Sequence, residues 1–484
     1  MKRKSFLQQF MSLGIGSAIY LLVGLIGTPV ITRLVDPVAY GDYSIFNMYS
    51  NFGFGICVLG LDQAFVRYYY SHESIHFRSK LLYECMVPAI IATAIMGGII
   101  GTITIAISGN GINRFSIIEI VLIVLNMMFL VLNRYSTLSA RLQNDTNTYS
   151  AIGIVQKSLF LVMSVVLVLV FKSHFYEFLM LATIISTLLA SLMGIWKERF
   201  VWFPKTRIRD IPSVSRRELY QYGIPLLFSF SVTLLFNALD KLALDRFCTR
   251  ADVGVYTSAL NLLAVFTVIR SSFNALWIPS AVEYYENNPD DRSFYQKGHA
   301  FVTVLMLLFG AGMIMCKDLF VLLLGEDYRE AALIFPFLMF EPIMYTISET
   351  TVTGLVVKKK SSQQIIVAVV ACVTNFIGNW LLTPWLGPKG AAISTGFSYI
   401  VYFAMRTILS NKVFYVDYKL HKLVFMIVLL VAFAMYGSNH SFSILQVCFF
   451  AIYTGILLLV YFSEFKDAMV YGKQLLRKLV TKRT

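Results

Sequence analysis

Residues 87–108 read VPAIIATAIMGGIIGTITIAIS, a run of 22 residues without one Asp, Glu, Lys or Arg. An α-helix rises about 1.5 Å per residue, so about 20 apolar residues cross the roughly 30 Å hydrocarbon core of a bilayer. A soluble helix of this composition would have no polar face to turn toward water. The stretch reads as a membrane-spanning helix, and it sets how the rest of the 484 residues are read.

The composition around it agrees. Hydrophobic residues make up 57% of the chain and charged residues only 14%, with mean hydropathy +0.69. Soluble domains carry about 25% charged residues. This excludes an ordinary soluble enzyme and a disordered chain, and predicts an all-α polytopic membrane protein. The formal net charge of +14 orients helices here and does not imply a nucleic-acid partner. Six cysteines (Cys57, Cys85, Cys248, Cys316, Cys372, Cys448) are scattered without CxxC spacing, which argues against a disulfide framework or a zinc site. The first apolar run, Met11 to Val35, is too long for a signal-peptide core and reads as a retained helix.

Fourteen stretches read as spanning candidates: Ser12–Leu34, Tyr43–Leu61, Val87–Ser108, Ile117–Leu132, Ile152–Phe171, Phe175–Ile195, Tyr222–Leu242, Gly254–Ile278, Phe301–Leu324, Ala331–Val356, Ile365–Leu386, Ala391–Leu409, Leu423–Tyr436 and Phe442–Phe462. With the N-terminus in the cytoplasm, the connecting segments on that side hold 31 Lys and Arg and the outer ones 9. One, Arg270, falls inside a helix. Basic residues favour the cytoplasmic side, so both termini are expected there. The longest polar stretch, Lys197 to Leu219, is cytoplasmic and basic. Phe465 to Lys482 mixes apolar and basic residues in the manner of an amphipathic helix on an anionic leaflet.

The chain also resembles itself. Arg33, Gly41 and Tyr43 follow the first helix; Arg246, Gly254 and Tyr256 follow the seventh, each 213 residues on. Val66-Arg67-Tyr68-Tyr69 after the second helix matches Val282-Glu283-Tyr284-Tyr285 after the eighth. Internal repeats of this length are common in transporters. The expected organisation is an N-lobe (1–200, helices one to six), a basic linker (201–218), a C-lobe (219–410, helices seven to twelve), two appended helices (411–463) and a basic tail (464–484). The lobes of such a repeat would face each other across a central cavity.

Several of these residues carry a resemblance. Thr28-Pro29-Val30-Ile31-Thr32-Arg33-Leu34-Val35-Asp36-Pro37 followed by Tyr40-Gly41-Asp42-Tyr43 resembles the opening of polysaccharide-biosynthesis transporters. These are the Wzx-type flippases of the multidrug/oligosaccharidyl-lipid/polysaccharide superfamily. Leu59-Gly60-Leu61-Asp62-Gln63-Ala64, Asp240-Lys241 ahead of Val253-Gly254-Val255-Tyr256, and Asn375, Asn379, Pro384, Gly387, Gly390-Ala391-Ala392 fit the same pattern. The resemblance covers about the first 410 residues. It implies a MATE-like bundle of six plus six helices with two more at the C-terminus. The implied activity is the flipping of undecaprenyl-diphosphate-linked oligosaccharide across a bacterial cytoplasmic membrane, for cell-surface polysaccharide. It departs from the lipid II flippase branch, which carries arginines within its first helix; Ser12 to Thr32 contains none.

Flipping makes and breaks no covalent bond, so the candidates are binding and gating groups and no cofactor is expected. The partners implied are a diphosphate-linked oligosaccharide, membrane lipids and other polysaccharide-assembly proteins. Guanidinium groups suit a diphosphate because they offer paired donors and keep their charge. Arg270 is the leading candidate, since charge inside a spanning helix is costly and defaults to function; snorkelling to the interface is its alternative. Arg67 and Arg33, at helix ends, are further substrate-binding candidates, with positive-inside bias and a partner such as Asp36 as their alternatives. Asn375 and Asn379, four apart, suit sugars or interhelical packing. Asp240, Lys241, Asp245 and Arg246 form a gate or an ion-pair cluster. Glu341, in a helix before Pro342, is the candidate for coupling to H⁺ or Na⁺.

Two other classes compete with this reading. A drug/cation antiporter of the same superfamily would need cavity carboxylates to dominate. A membrane glycan polymerase or ligase would need a large outer loop. The chain has no GxxxxGK[ST] or HExxH motif.

Overall fold

The computed structural model describes residues 6–107, 116–171, 175–204, 214–360 and 362–464. The amphipathic tail expected at 465–482 and positions 205–213 of the basic linker lie outside the described residues. Among these there is no strand. The helices in chain order are α1 (Phe6–Thr32), α2 (Pro37–Cys57), α3 (Leu61–Tyr68), α4 (Ile75–Ile107), α5 (Ile117–Leu142), α6 (Thr146–Phe171), α7 (Phe175–Lys197), α8 (Arg199–Trp202), α9 (Arg216–Phe247), α10 (Arg250–Leu262), α11 (Ala264–Asn287), α12 (Ser293–Met315), α13 (Lys317–Val321), α14 (Ala331–Leu338), α15 (Phe340–Thr351), α16 (Thr353–Val357), α17 (Gln363–Leu386), α18 (Pro388–Val413), α19 (Leu420–Gly437) and α20 (Ile444–Val460).

All fourteen stretches read as spans fall on helices. Among the described residues, ten helices are long and apolar enough to cross a membrane, and eleven if the bent pair α2–α3 is one span. The count of fourteen is not reached on those grounds. Ile19–Thr32 and Ile444–Val460 are apolar but shorter, and α10 and α11 break at Leu263.

The starts of several helices follow from local chemistry. Asp36 accepts the Ala39 backbone N–H at 2.9 Å, with Pro37 in the first helical position, so α2 begins there. Ser116 and Glu119 exchange bonds in a capping box that opens α5. The break between α2 and α3 is bent by 53°. Leu59 (φ 56°) and Gly60 (φ 67°) both take left-handed backbone there. Gly60 is needed twice over, because a Cβ on it would stand 2.1 Å from the Gly223 carbonyl oxygen.

The chain divides into two compact units, Met1–Lys241 with Thr249–Gly254, and Leu242–Cys248 with Val255–Thr484. In the first, α5 packs on α4, α6 and α7, α1 on α6, and α2 on α5 and α7. Phe65, Tyr69, Leu81, Tyr135 and Trp202 share one buried core there. The Tyr83 hydroxyl donates to the Trp202 carbonyl at 2.5 Å, fastening α8 to α4.

In the second, α17 and α18 form a hairpin, α18 lies on α15, and α15 lies on α12. The last two helices pack on α12 as well. Gln446 of α20 donates to the Ile314 carbonyl at 2.8 Å, fastening α20 to the last turn of α12.

Candidate substrate site

The second unit concentrates polar side chains on α15. Thr346, Ser348, Glu349, Thr350 and Thr351 are all buried. Apolar burial cannot satisfy such groups, so each needs a partner. Glu341, Tyr345 and Glu349 stand four residues apart and so share one face of the helix. On α18, Tyr399, Tyr402 and Arg406 share a face by spacings of three and four.

These two faces meet. Arg406 donates to Glu349 Oε1 at 2.9 Å and to Ser348 Oγ at 2.8 Å. Both partners of the ion pair are 4% exposed. Tyr345 stacks on Tyr402 with ring centroids 5.6 Å apart. The Tyr399 hydroxyl donates to Glu341 Oε1 at 3.2 Å. Arg270 reaches in from α11, its guanidinium carbon 4.3 Å from the Tyr345 ring centre. Arg406 lies 5.7 Å from the same ring and 5.6 Å from Tyr402. Two guanidinium groups thus share one aromatic ring, whose negative face attracts both.

Their charges are balanced differently. Arg406 is paired with Glu349, whereas Arg270 forms no ion pair with a carboxylate among the described residues. Arg270 is half-buried within α11, as are Tyr345 and Tyr402 in their helices. An unpaired cation in such a place is a ready ligand for an anion.

The structure therefore joins Arg270 to Glu341 through tyrosines and adds Arg406, Glu349, Tyr345 and Tyr402 to the set. In the count of basic residues, Arg406, at the end of the span Ala391–Leu409, and Arg134, just past Ile117–Leu132, go with the cytoplasmic set. Both lie inside helices, α18 and α5. Arg134 holds Asp62 Oδ2 from Nε at 2.9 Å and Nη2 at 2.6 Å. For Arg406 the signal in the sequence is Tyr402 and Phe403, four and three positions before it; Arg134 has only Leu130, Val131, Thr137 and Leu138 at those spacings and carries no such signal.

The other candidates lie elsewhere. Arg67 and Arg33 are exposed in the first unit, and Asp36 is engaged as the cap of α2. Asn375 and Asn379 are fully buried between α17 and α18. Asn375 donates to Thr395 Oγ1 at 3.2 Å, Asn379 to Asn375 Oδ1 at 3.1 Å, and Ser394 to the Asn375 carbonyl at 2.9 Å. Of the group along α9, Asp240 is buried, Lys241 and Asp245 are half-buried and Arg246 is exposed. Arg250 just beyond them pairs with Asp42 at 3.0 Å.

Residues 30–333 match the profile of the family described as "Polysaccharide biosynthesis protein". The chain belongs to that family. No curated protein sequence matches it. Among solved structures it is similar to the lipid II flippase MurJ in an inward closed conformation, with TM-score 0.68 and 14% identity over 96% of this chain and 99% of that one. It is similar to a MATE transporter in complex with MaL6, with TM-score 0.53 and 15% identity over 83% and 94%. It is also similar to an inward-facing multidrug resistance MATE transporter, with TM-score 0.51 and 16% identity over 81% and 94%. The fold is that of these transporters, and the protein is a multi-pass membrane protein of the polysaccharide biosynthesis family.

Proposed function

We propose that this protein is a flippase that moves a lipid-linked oligosaccharide, carried on a polyprenyl diphosphate, across the bacterial cytoplasmic membrane for cell-surface polysaccharide assembly. One observation carries the reading: in a chain of this family, Arg270 stands half-buried within a membrane bundle, seated on Tyr345, without a carboxylate partner. A diphosphate must leave bulk water to cross, and a desolvated anion needs a cation already in place. The lipid tail stays in the bilayer and the sugars follow the headgroup. Asn375 and Asn379 serve the packing of α17 on α18 in this reading. Arg67 and Arg33 contribute charge near helix ends, and the cluster of Asp240, Lys241, Asp245 and Arg246 with the Asp42–Arg250 pair supplies gating contacts. Both termini face the cytoplasm. Glu341 is the group that exchanges a coupling proton.

The test is complementation of a flippase-deficient strain, read as surface polysaccharide with membrane protein level measured in parallel. A charged hydrogen bond contributes roughly 1.5–3 kcal/mol, so Arg270→Ala should weaken headgroup binding about tenfold to a hundredfold and abolish flipping. Arg270→Lys keeps the charge and loses the planar fork, and should retain part of the activity. Normal polysaccharide from well-inserted Arg270→Ala would overturn the reading.

A further inference from the structure

Arg406, counted from sequence with the cytoplasmic basic residues, is 4% exposed inside the helical bundle. Its cage is incomplete. Glu349 and Ser348 take two donors of one guanidinium nitrogen, Nη1. Gln364 Oε1 lies 3.5 Å from Nη2, at the limit of a hydrogen bond. Nε has no partner among the described residues, although it is buried. A guanidinium carries five donors in a fixed fork, and burying one unmet costs free energy. The fork is flanked by the faces of Tyr345 and Tyr402, and the Tyr345 ring also carries Arg270.

Burying an ion pair in place of apolar residues seldom adds stability. This pair stands beside an unpaired guanidinium. A diphosphate has two charged phosphoryl groups, and Arg270 alone answers one of them. We propose that Arg406 is a second ligand for the anionic headgroup, held in reserve by Glu349, which occupies Nη1 when no substrate is bound and yields to a phosphoryl oxygen when one arrives. The inference rests on the reading of Arg270 given above and extends it to a second cation and an internal competitor.

The exchange has a use. A carrier must bind its cargo firmly enough to take it up and weakly enough to let it go. Glu349 sits permanently beside Arg406, so it opposes binding by the difference in affinity between the two anions. The cost of leaving Glu349 without its guanidinium keeps the loaded state from becoming a trap.

The experiment uses the full chain in lipid nanodiscs and farnesyl diphosphate as probe, with farnesyl monophosphate as control and Kd read by calorimetry. Arg270→Gln should weaken binding of both. Glu349→Gln should tighten diphosphate binding about tenfold and leave the monophosphate unchanged. The gain should vanish in Glu349→Gln combined with Arg406→Gln. An unchanged or weaker diphosphate Kd in folded Glu349→Gln, with the Arg270 dependence intact, overturns this inference and leaves the reading of Arg270 standing. Loss of the Arg270 dependence, or no binding in either background, overturns both. If Glu349→Gln alone fails to fold, the double variant still decides, because it neutralises both members of the pair together. It should insert normally and transport at less than a tenth of the wild-type rate; normal flux from it overturns the proposal.

Discussion

Gly41 and Gly254 meet backbone to backbone. A Cβ on Gly41 would stand 1.8 Å from the Arg250 carbonyl oxygen, and one on Gly254 would stand 2.1 Å from the Pro37 carbonyl oxygen. The contact is reciprocal under one offset: 213 residues separate Pro37 from Arg250 and Gly41 from Gly254. Two-fold related surfaces touch in this way, residue i on j and j on i. The crossing lies in the first compact unit, which takes in residues 249–254.

Alanine ordinarily favours a helix over glycine by about 1 kcal/mol. At these two positions the sign should reverse, because the obstacle is backbone and cannot rotate away. Gly41→Ala and Gly254→Ala should each destabilise by about 1–3 kcal/mol, the range for overpacking. Gly98 of α4, with nothing within 4 Å of its added Cβ, is the control, and Gly98→Ala should be neutral or stabilising. Thermal unfolding of the detergent-solubilised protein checks this. Equal melting temperatures for all three variants would contradict the close crossing.

Tyr345 is the surface on which Arg270 and Arg406 both rest. Cation–π attraction is worth about 0.5–2 kcal/mol per contact, and it depends on the ring more than on the hydroxyl. Tyr345→Phe should transport nearly as well as wild type. Tyr345→Leu should lose at least severalfold in flux with expression unchanged, because both guanidinium groups lose their seat. Flux measured in inverted vesicles separates the two variants.

Much of this was legible beforehand because the bilayer constrains composition so strongly. Long uncharged runs such as Val87 to Ile107 fall on helices, and the glycine pair marked by the internal repeat is where two backbones touch. Span ends were harder. Arg406 lies within the apolar stretch Ala391–Leu409 but only three residues from its end, so it is counted with the cytoplasmic basic residues, while the helix runs on to Val413. The same happened to Arg134, because α5 runs to Leu142 with a polar last part. Charge that finds a buried partner extends a helix past its apolar run. Asp62 and Glu349 supply those partners from other helices, and a single helix read alone does not show them. The close approach at Gly60 was also hidden, since Gly223 comes to it from a distant part of the chain.

Glu341 accepts a hydrogen bond from the Tyr399 hydroxyl. Glutamine at this position still offers a carbonyl oxygen to that hydroxyl and cannot exchange a proton. Glu341→Gln should therefore insert normally, slow transport and flatten its dependence on pH. Wild-type flux across pH 5 to 8 would remove Glu341 from coupling and leave it a packing role.

Topology can be tested at described, exposed positions. Lys360, between α16 and α17, belongs to the cytoplasmic set under the positive-inside reading. His440, between α19 and α20, belongs to the outer set. In a background without the six native cysteines, His440→Cys should label from outside intact cells, and Lys360→Cys only after the membrane is permeabilised. Reversed labelling would invert the protein.

Glu198 joins α7 to α8 and is 6% exposed. It stands at the N-cap position of α8 without making a side-chain cap bond. Burial, and then the Asp145 carboxylate nearby, push its pKa up from 4.5 to about 7. Asp145 is itself engaged by Thr148, whose hydroxyl donates at 2.6 Å. The folded protein holds the Glu198 proton more tightly than the unfolded chain does. Its contribution to stability is complete below about pH 4.5 and is lost as pH rises through about 7. Glu198→Gln mimics the protonated form at every pH. It should therefore raise the melting temperature at pH 8 and change it little at pH 5, and the wild-type fall in stability between those values should flatten. Melting curves of both proteins at the two pH values decide the matter, and an equal shift at pH 5 and pH 8 would show that Glu198 does not titrate in this range.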